Sequence, residues 1–304
     1  MLKGKVAVVT GSGRGLGRAY AEAMARAGAS VVVNDVDADA AEDTVRAIDD
    51  AGGRAVAEIV EVGTSEAADR LVDRAVREFG QLDVMVTNAG VLRDRTLRKT
   101  TDDDFDTVLR THLRGTFTCA RAAVNRFRAQ DSPGRLILVG SPAGQRASFG
   151  QTSYSAAKAA IVGLVRTWAW ECERAGVTVN AVVPTALTRM VATIPGLGEA
   201  VADAEAGRPI DPGLRRAGLG TPDDAAAVVV YLAGDAAAGV TGQCVSAGGD
   251  KIALWSHPQE VAAAYRDGGW DVERVAAEFP GLVEARLQSY KPEAFPVPPT
   301  GGRA

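Results

Sequence analysis

Apolar positions along the chain fall into two kinds of segment that alternate from the start. One kind is a short unbroken run, as in Val6-Ala-Val-Val9, Val31-Val-Val33 and Leu136-Ile-Leu-Val139. Such runs predict strands buried on both faces. The other kind is longer, with apolar residues every three or four positions, and predicts amphipathic helices. The first strand runs over 5–10, and the helix after it extends to Ala27 with Gly28 in the C-cap position. Strands at 30–35, 54–60, 82–87, 135–140 and 177–182 then alternate with helices at 38–51, 65–79, 102–129 and 152–175. Residues 185–220, rich in Gly, Ala and Pro, break the rhythm, and a helix at 222–234 and a strand at 242–247 restore it.

This order predicts an α/β fold, a parallel sheet covered by helices on both faces, within one domain spanning 1–250. The core is expected to end at Gly248-Gly249. The segment 251–304, with helical patterns near 258–266 and 270–278, reads as an extension packed on the same domain, being too short and polar for a core of its own.

Composition narrows the function classes. Hydrophobic residues make up 46% and charged residues 24%, with a formal net charge of −4, so nothing favours nucleic acid. Three cysteines, Cys119, Cys172 and Cys244, match no metal or disulfide spacing and fit a reducing compartment. No run is long enough to span a bilayer and no metal site is expected, so the reading is a soluble, cytoplasmic protein.

Candidate chemistry gathers between Arg135 and Ala175. Ser141 follows the strand at 135–140, and Tyr154 and Lys158 lie four residues apart on the next helix, sharing one face. An ammonium beside a phenol lowers the phenol's pKa, which makes a general acid or base for an alcohol or ketone. Ser141 is then placed to hydrogen-bond the reacting oxygen.

Near the amino terminus, Gly11, Gly15 and Gly17 sit between a strand and a helix, with Ser12, Arg14 and Leu16 among them. A Gly-rich loop alone is an ordinary turn, but in this context a pyrophosphate can approach the helix N-terminus. Asp35, at the end of the second strand, is placed to bind an adenosine ribose and to repel a 2′-phosphate. Arg14 pulls the other way, since a cation there could hold that phosphate. The acid outweighs the arginine, so NAD is expected over NADP.

Thr10-Gly-Ser-Gly-Arg-Gly-Leu-Gly17, Asn88-Ala-Gly90, Ser141 and Tyr154-x-x-x-Lys158 together resemble the short-chain dehydrogenase/reductase family over residues 1 to about 250. The resemblance implies a Rossmann-type fold, a doubly wound seven-stranded parallel sheet in a single domain with a C-terminal extension, and an enzyme in which Tyr154 exchanges a proton with the carbinol oxygen. Lys158 would tune Tyr154 and hold the nicotinamide ribose, while Ser141 fixes the substrate. It also implies that Asn88, Ala89 and Gly90 line the adenosine groove and that Glu61-Val62 hold the adenine. Thr188, after Pro184, would reach the nicotinamide side. His112 stands where the family carries a catalytic asparagine; an imidazole could position the same water, or it could be a packed core residue.

Within the family, Val31-Val-Val-Asn-Asp35, Asn88-Ala-Gly-Val-Leu-Arg-Asp-Arg95, His112-Leu-Arg-Gly115 and the end with Lys251 to Trp255 resemble the (3R)-hydroxyacyl-CoA dehydrogenase branch. The implied substrate is a 3-hydroxyacyl-CoA, with a hydroxysteroid or a 3-oxoacyl compound served by the same residues as alternatives. Arg93, Arg95, Arg98, Lys99 and Arg189 are expected near the cleft mouth, where they could meet CoA phosphates. The helices at 102–129 and 152–175 carry apolar residues, including Trp168 and Trp170, on more than one face, which fits a homodimer or homotetramer.

Overall fold

The computed structural model describes residues 1–188, 191–194, 196–284, 286–287 and 289. Its strands are β1 (Val6–Val9), β2 (Ser30–Asp35), β3 (Arg54–Ile59), β4 (Val84–Thr87), β5 (Arg135–Val139), β6 (Thr178–Pro184), β7 (Cys244–Gly248) and β8 (Lys251–Leu254). The longer helices are α1 (Gly15–Arg26), α2 (Ala38–Asp50), α3 (Ser65–Phe79), α4 (Asp102–Leu109), α5 (Gly115–Ala129), α6 (Thr152–Glu171), α7 (Gly198–Glu205), α8 (Pro212–Arg216), α9 (Pro222–Ala233) and α10 (Val272–Val283).

The strands form one sheet in the order β3-β2-β1-β4-β5-β6-β7-β8. The first seven are parallel, as the alternating pattern requires. Successive strand residues point to opposite faces, so Ala7 and Val9 pack in one core while Val6 and Val8 pack in the other. One core lies beneath α1, α2 and α9, and the other beneath α3, α5 and α6. A third, smaller cluster (Leu187, Leu197, Val201, Leu214 and Leu219) holds the segment between β6 and α9 together as a cap.

Three features depart from the sequence expectation. The sheet has an eighth strand: Lys251–Leu254 turns back and pairs antiparallel with β7, so the sheet runs past Gly248-Gly249. The alternation Lys-Ile-Ala-Leu after a Gly-Gly-Asp turn carries that hairpin signal. No helix forms over 258–266, where Val261 and Tyr265 are exposed; so short a helix is marginal without packing. The long helix expected over 102–129 is interrupted by a π-helical turn, Arg110–Arg114, in which the Gly115 amide donates to the Arg110 carbonyl.

The sheet order reverses between β1 and β4, and the strand ends are locked there. Thr10 Oγ1 accepts the amides of Asn88 and Ala89 at 2.9 and 3.0 Å. The Asn88 side-chain amide donates back to the carbonyls of Thr10 and Gly11 at 3.0 and 2.9 Å. Such a switch point leaves a crevice beyond the carboxyl ends of the strands, where ligands bind in open α/β sheets.

Candidate active site

That crevice is a cleft of about 1860 Å³, lined from both sides of the switch point. Its amino-terminal wall is the loop from β1 into α1. Arg14, the residue before α1, makes no capping bond through its side chain, and the first turn holds no acid. The amides and positive dipole end of α1 are therefore open to an anion. A side chain at Gly17 would put Cβ 2.1 Å from the Gly11 carbonyl oxygen and 2.5 Å from the Asn88 side-chain nitrogen. Only glycine lets this helix approach the strand ends so closely.

Asp35 closes the loop from below. Its Oδ2 accepts the Gly13 amide at 2.9 Å, and its Oδ1 accepts those of Val36 and Asp37 at 2.8 and 3.1 Å. Arg14 is ion-paired with Asp37. The Ala40 amide, the Arg14 hydrogen bond and the Arg14 charge together lower the Asp37 pKa. Gly11, Gly15, Leu16, Glu61, Val62, Asn88, Ala89, Gly90, Pro184 and Thr188 also line the cleft. Ser12 does not: it is fully buried, its hydroxyl donates to the Val9 carbonyl at 2.7 Å and its amide to that of Asn34. It shapes the loop from behind.

The far wall holds Ser141, Tyr154, Lys158 and His112. Ser141 acts on the Tyr154 phenol so as to lower its pKa, and its Oγ accepts the Ala143 amide at 3.2 Å. Lys158, just 4% exposed, donates from Nζ to the Val139 carbonyl at the end of β5 over 2.6 Å. Its Nζ lies 5.7 Å from the centroid of the Tyr154 ring, over the ring face. His112 meets the same ring edge-on, with centroids 5.1 Å apart.

The electrostatics correct one expectation. Desolvation raises the Tyr154 pKa, the Ser141 hydrogen bond opposes this, and the nearby Asp94 carboxylate adds to it. Burial thus holds Tyr154 as a neutral phenol rather than poised as a phenolate. Lys158 sits over the ring face and is engaged by Val139, and burial lowers its own pKa to about 7.

The π-helical turn carries His112 into the site. His112 Nε2 lies 3.0 Å from the Val91 nitrogen and 2.8 Å from the Val91 carbonyl oxygen, so the tautomer decides which bond forms. Nδ1 is buried and has no partner. Gly90 permits this contact, since a Cβ there would fall 2.3 Å from His112 Cε1. Burial, reinforced by the Lys158 charge, lowers the His112 pKa to about 3.

Sequence reasoning missed other residues of the cleft. Asp94 lines it and accepts a hydrogen bond from Gln151 at 3.0 Å, beside the start of α6. Arg146, Lys251 and Trp255 line it from the opposite side. By contrast, Arg93 bonds its neighbour's carbonyl, that of Leu92, and Arg95 pairs with Asp104 at 2.7 Å; neither lines the cleft, nor do Arg98 and Lys99. Arg189 lies outside the described residues.

A nucleotide-sized cleft, an open helix N-terminus and a Tyr–Ser–Lys cluster define a Rossmann-type oxidoreductase site. The chain belongs to the short-chain dehydrogenase/reductase family: residues 11–249 match its family model described as enoyl-(acyl carrier protein) reductase. It is 41% identical over 289 residues to the hydroxyacyl-CoA dehydrogenase ChsB1 of Mycobacterium tuberculosis, covering 91% of this chain and 87% of that one. It is 43% identical over 200 residues to the peroxisomal multifunctional enzyme type 2 of Mus musculus, covering 63% of this chain and 27% of that one. A short chain dehydrogenase from Mycobacterium avium superposes with a TM-score of 0.81 at 34% identity, covering 96% and 98% of the two chains. The protein is therefore an oxidoreductase acting on a CH–OH group, and its family uses a nicotinamide dinucleotide.

The buried imidazole makes stability depend on pH. Below pH 6.5 the unfolded chain protonates His112, whereas the folded protein resists down to about pH 3. The unfolded state then binds more protons, so acid destabilises the fold. Urea titrations should show the wild type losing about 1–2 kcal/mol more than His112→Gln between pH 6.5 and 5. Parallel pH profiles for the two proteins would rule this out.

Proposed function

We propose that the protein is an NAD-dependent dehydrogenase that reversibly oxidises the secondary alcohol of a 3-hydroxyacyl-CoA, with Tyr154 as general acid and base. The observation that carries the reading is the meeting of Ser141, Tyr154 and Lys158 in one cleft with an open helix N-terminus. The 41% identical relative, a hydroxyacyl-CoA dehydrogenase, supports the substrate class.

The loop after β1, Asp35 and the α1 N-terminus would hold the dinucleotide, and Asn88 to Gly90 would border it. Bound there, the nicotinamide supplies the hydride acceptor for oxidation or the donor for reduction. All proton handling falls to the chain's own residues. In the reductive direction the neutral Tyr154 phenol donates its proton to the carbonyl oxygen as that oxygen gains charge. In the oxidative direction the phenolate takes the alcohol proton. Ser141 holds the same oxygen by hydrogen bonding, and the Lys158 ammonium stabilises the phenolate formed when the proton leaves. Neutral His112 is tied to the Val91 backbone through Nε2 and packs edge-on against the Tyr154 ring.

Preference for NAD follows from the loop's charges. Arg14 is held by Asp37, which leaves the Asp35 carboxylate unopposed where a 2′-phosphate would lie. Like charges about 4 Å apart repel by about 1 kcal/mol in water and about 4 kcal/mol near a protein surface. Titration should give tighter binding of NAD than NADP, and Asp35→Asn, which keeps one acceptor for the loop amides, should narrow the gap. Tighter NADP binding by the wild type would reverse the assignment.

Tyr154→Phe removes the transferable proton and little else. Turnover of a 3-hydroxyacyl-CoA should drop by about two to four orders of magnitude, while the dissociation constant for the dinucleotide stays within about twofold. Retention of most activity would exclude Tyr154 from proton transfer.

A further inference from the structure

The cations of the cleft are unequally engaged. Arg14 pairs with Asp37, Arg18 pairs with Glu22, and Lys158 is held by the Val139 carbonyl. Among the described residues, Arg146 and Lys251 also line the cleft, and neither makes an ion pair. Both border the side away from the dinucleotide loop. Arg146 follows the turn after Ser141, and Lys251 opens β8 opposite Gly248.

Arg146 is held without being neutralised. Its guanidinium carbon lies 5.1 Å from the centroid of the Trp255 ring. Trp255 is fixed in turn by its indole N–H, which donates to Ser246 Oγ at 2.7 Å, and by its amide, which donates to the Cys244 carbonyl at 3.0 Å. An aromatic face orients a guanidinium but leaves the N–H donors of the guanidinium plane free. The Lys251 stem runs beside Gly218 of the cap, where a Cβ added to that glycine would lie 3.4 Å from the lysine Cδ. Ser246, Ala247 and Gly248 line the cleft along β7, the strand that β8 pairs with.

At the catalytic end the Lys158 cation is already engaged by Val139 and the Asp94 carboxylate acts on Tyr154, so the cleft cations without an ion pair are those at the β8 side. The cations that sequence alone put forward, Arg93 and Arg95, are engaged elsewhere.

We propose that Arg146, braced by Trp255, and Lys251 form the anion-binding end of the substrate cleft and take phosphate groups of a pantetheine-linked acyl substrate. The inference rests on the thioester reading above and assigns its phosphate subsite. Guanidinium suits phosphate by bidentate hydrogen bonding and ammonium by point charge. The contribution of partly exposed charges falls with salt. The phosphate could belong to the nucleotide of CoA or to the phosphodiester of a carrier-linked phosphopantetheine, and the two sources separate experimentally.

The test uses one 3-hydroxyacyl group as its pantetheine, 4′-phosphopantetheine and CoA thioesters, with full-length enzyme and NAD. The ratio of kcat/KM for the phosphorylated esters over the pantetheine ester should exceed unity in the wild type and fall about fivefold or more in Arg146→Gln/Lys251→Gln. Its salt dependence should flatten in the same variant, and Arg146→Lys/Lys251→Arg should restore most of the ratio. A drop at the first phosphate identifies the phosphopantetheine group as the ligand, and a drop confined to the CoA ester identifies the nucleotide. Thermal melting and dinucleotide titration confirm that the variants are folded. An unchanged ratio in a folded double variant overturns the subsite while leaving the thioester reading in place. Turnover of simple secondary alcohols or steroids with none of the thioesters overturns both.

Discussion

Lys158 lies nearly out of reach of water, with Nζ 2.6 Å from the Val139 carbonyl oxygen at the end of β5. That bond joins the middle of the catalytic site to the carboxyl end of an interior strand. The same helix carries Tyr154 one turn earlier, and the same strand leads directly to Ser141. Removing an ammonium from water is costly unless a partner compensates, and a single carbonyl compensates in part. The remaining cost is expressed as the lowered Lys158 pKa, which makes the ammonium easy to neutralise. Charge on Lys158 reaches Tyr154 through the ring face and His112 through space. The proton inventory of the site therefore depends on how the helix is seated on the strand.

The other half of the cleft is built by close backbone approach. Asn88 and Thr10 clamp the ends of β1 and β4, and Gly17 lets α1 descend onto them. The result is an open helix end facing a tethered carboxylate, a combination suited to a pyrophosphate and a ribose. The cap, the turn after Ser141 and β8 line the rest of the cleft. Two structural halves, each using a different device, meet above the strand ends.

Much of this was legible in the sequence because it follows local patterns. Unbroken apolar runs such as Leu136-Ile-Leu-Val139 marked the strands, and the spacing of Tyr154 and Lys158 placed both on one helix face. What escaped depends on contacts between segments distant in sequence. The π turn at Arg110–Arg114 carries no local marker, yet it aims His112 at Tyr154. Ser12 looks like a phosphate-loop residue, but Val9 and Asn34 engage it from behind. The tuning of Tyr154 turned on depth: desolvation outweighs the hydrogen bond that opposes it, and spacing says nothing about burial. Arg95 met the same fate, since Asp104 reaches it only once α4 is in place. The β8 hairpin was readable in principle, from alternation after a Gly-Gly-Asp turn.

The seating of Lys158 can be measured without substrate. Heteronuclear NMR of the ligand-free protein, with Tyr154→Phe and Lys158→Arg to assign the signal, follows the titration of Nζ directly. A pKa of about 7 is expected for Lys158. A midpoint near 10.5, the ordinary lysine value, would mean that the ammonium is solvated and that the bond to Val139 does not organise the site.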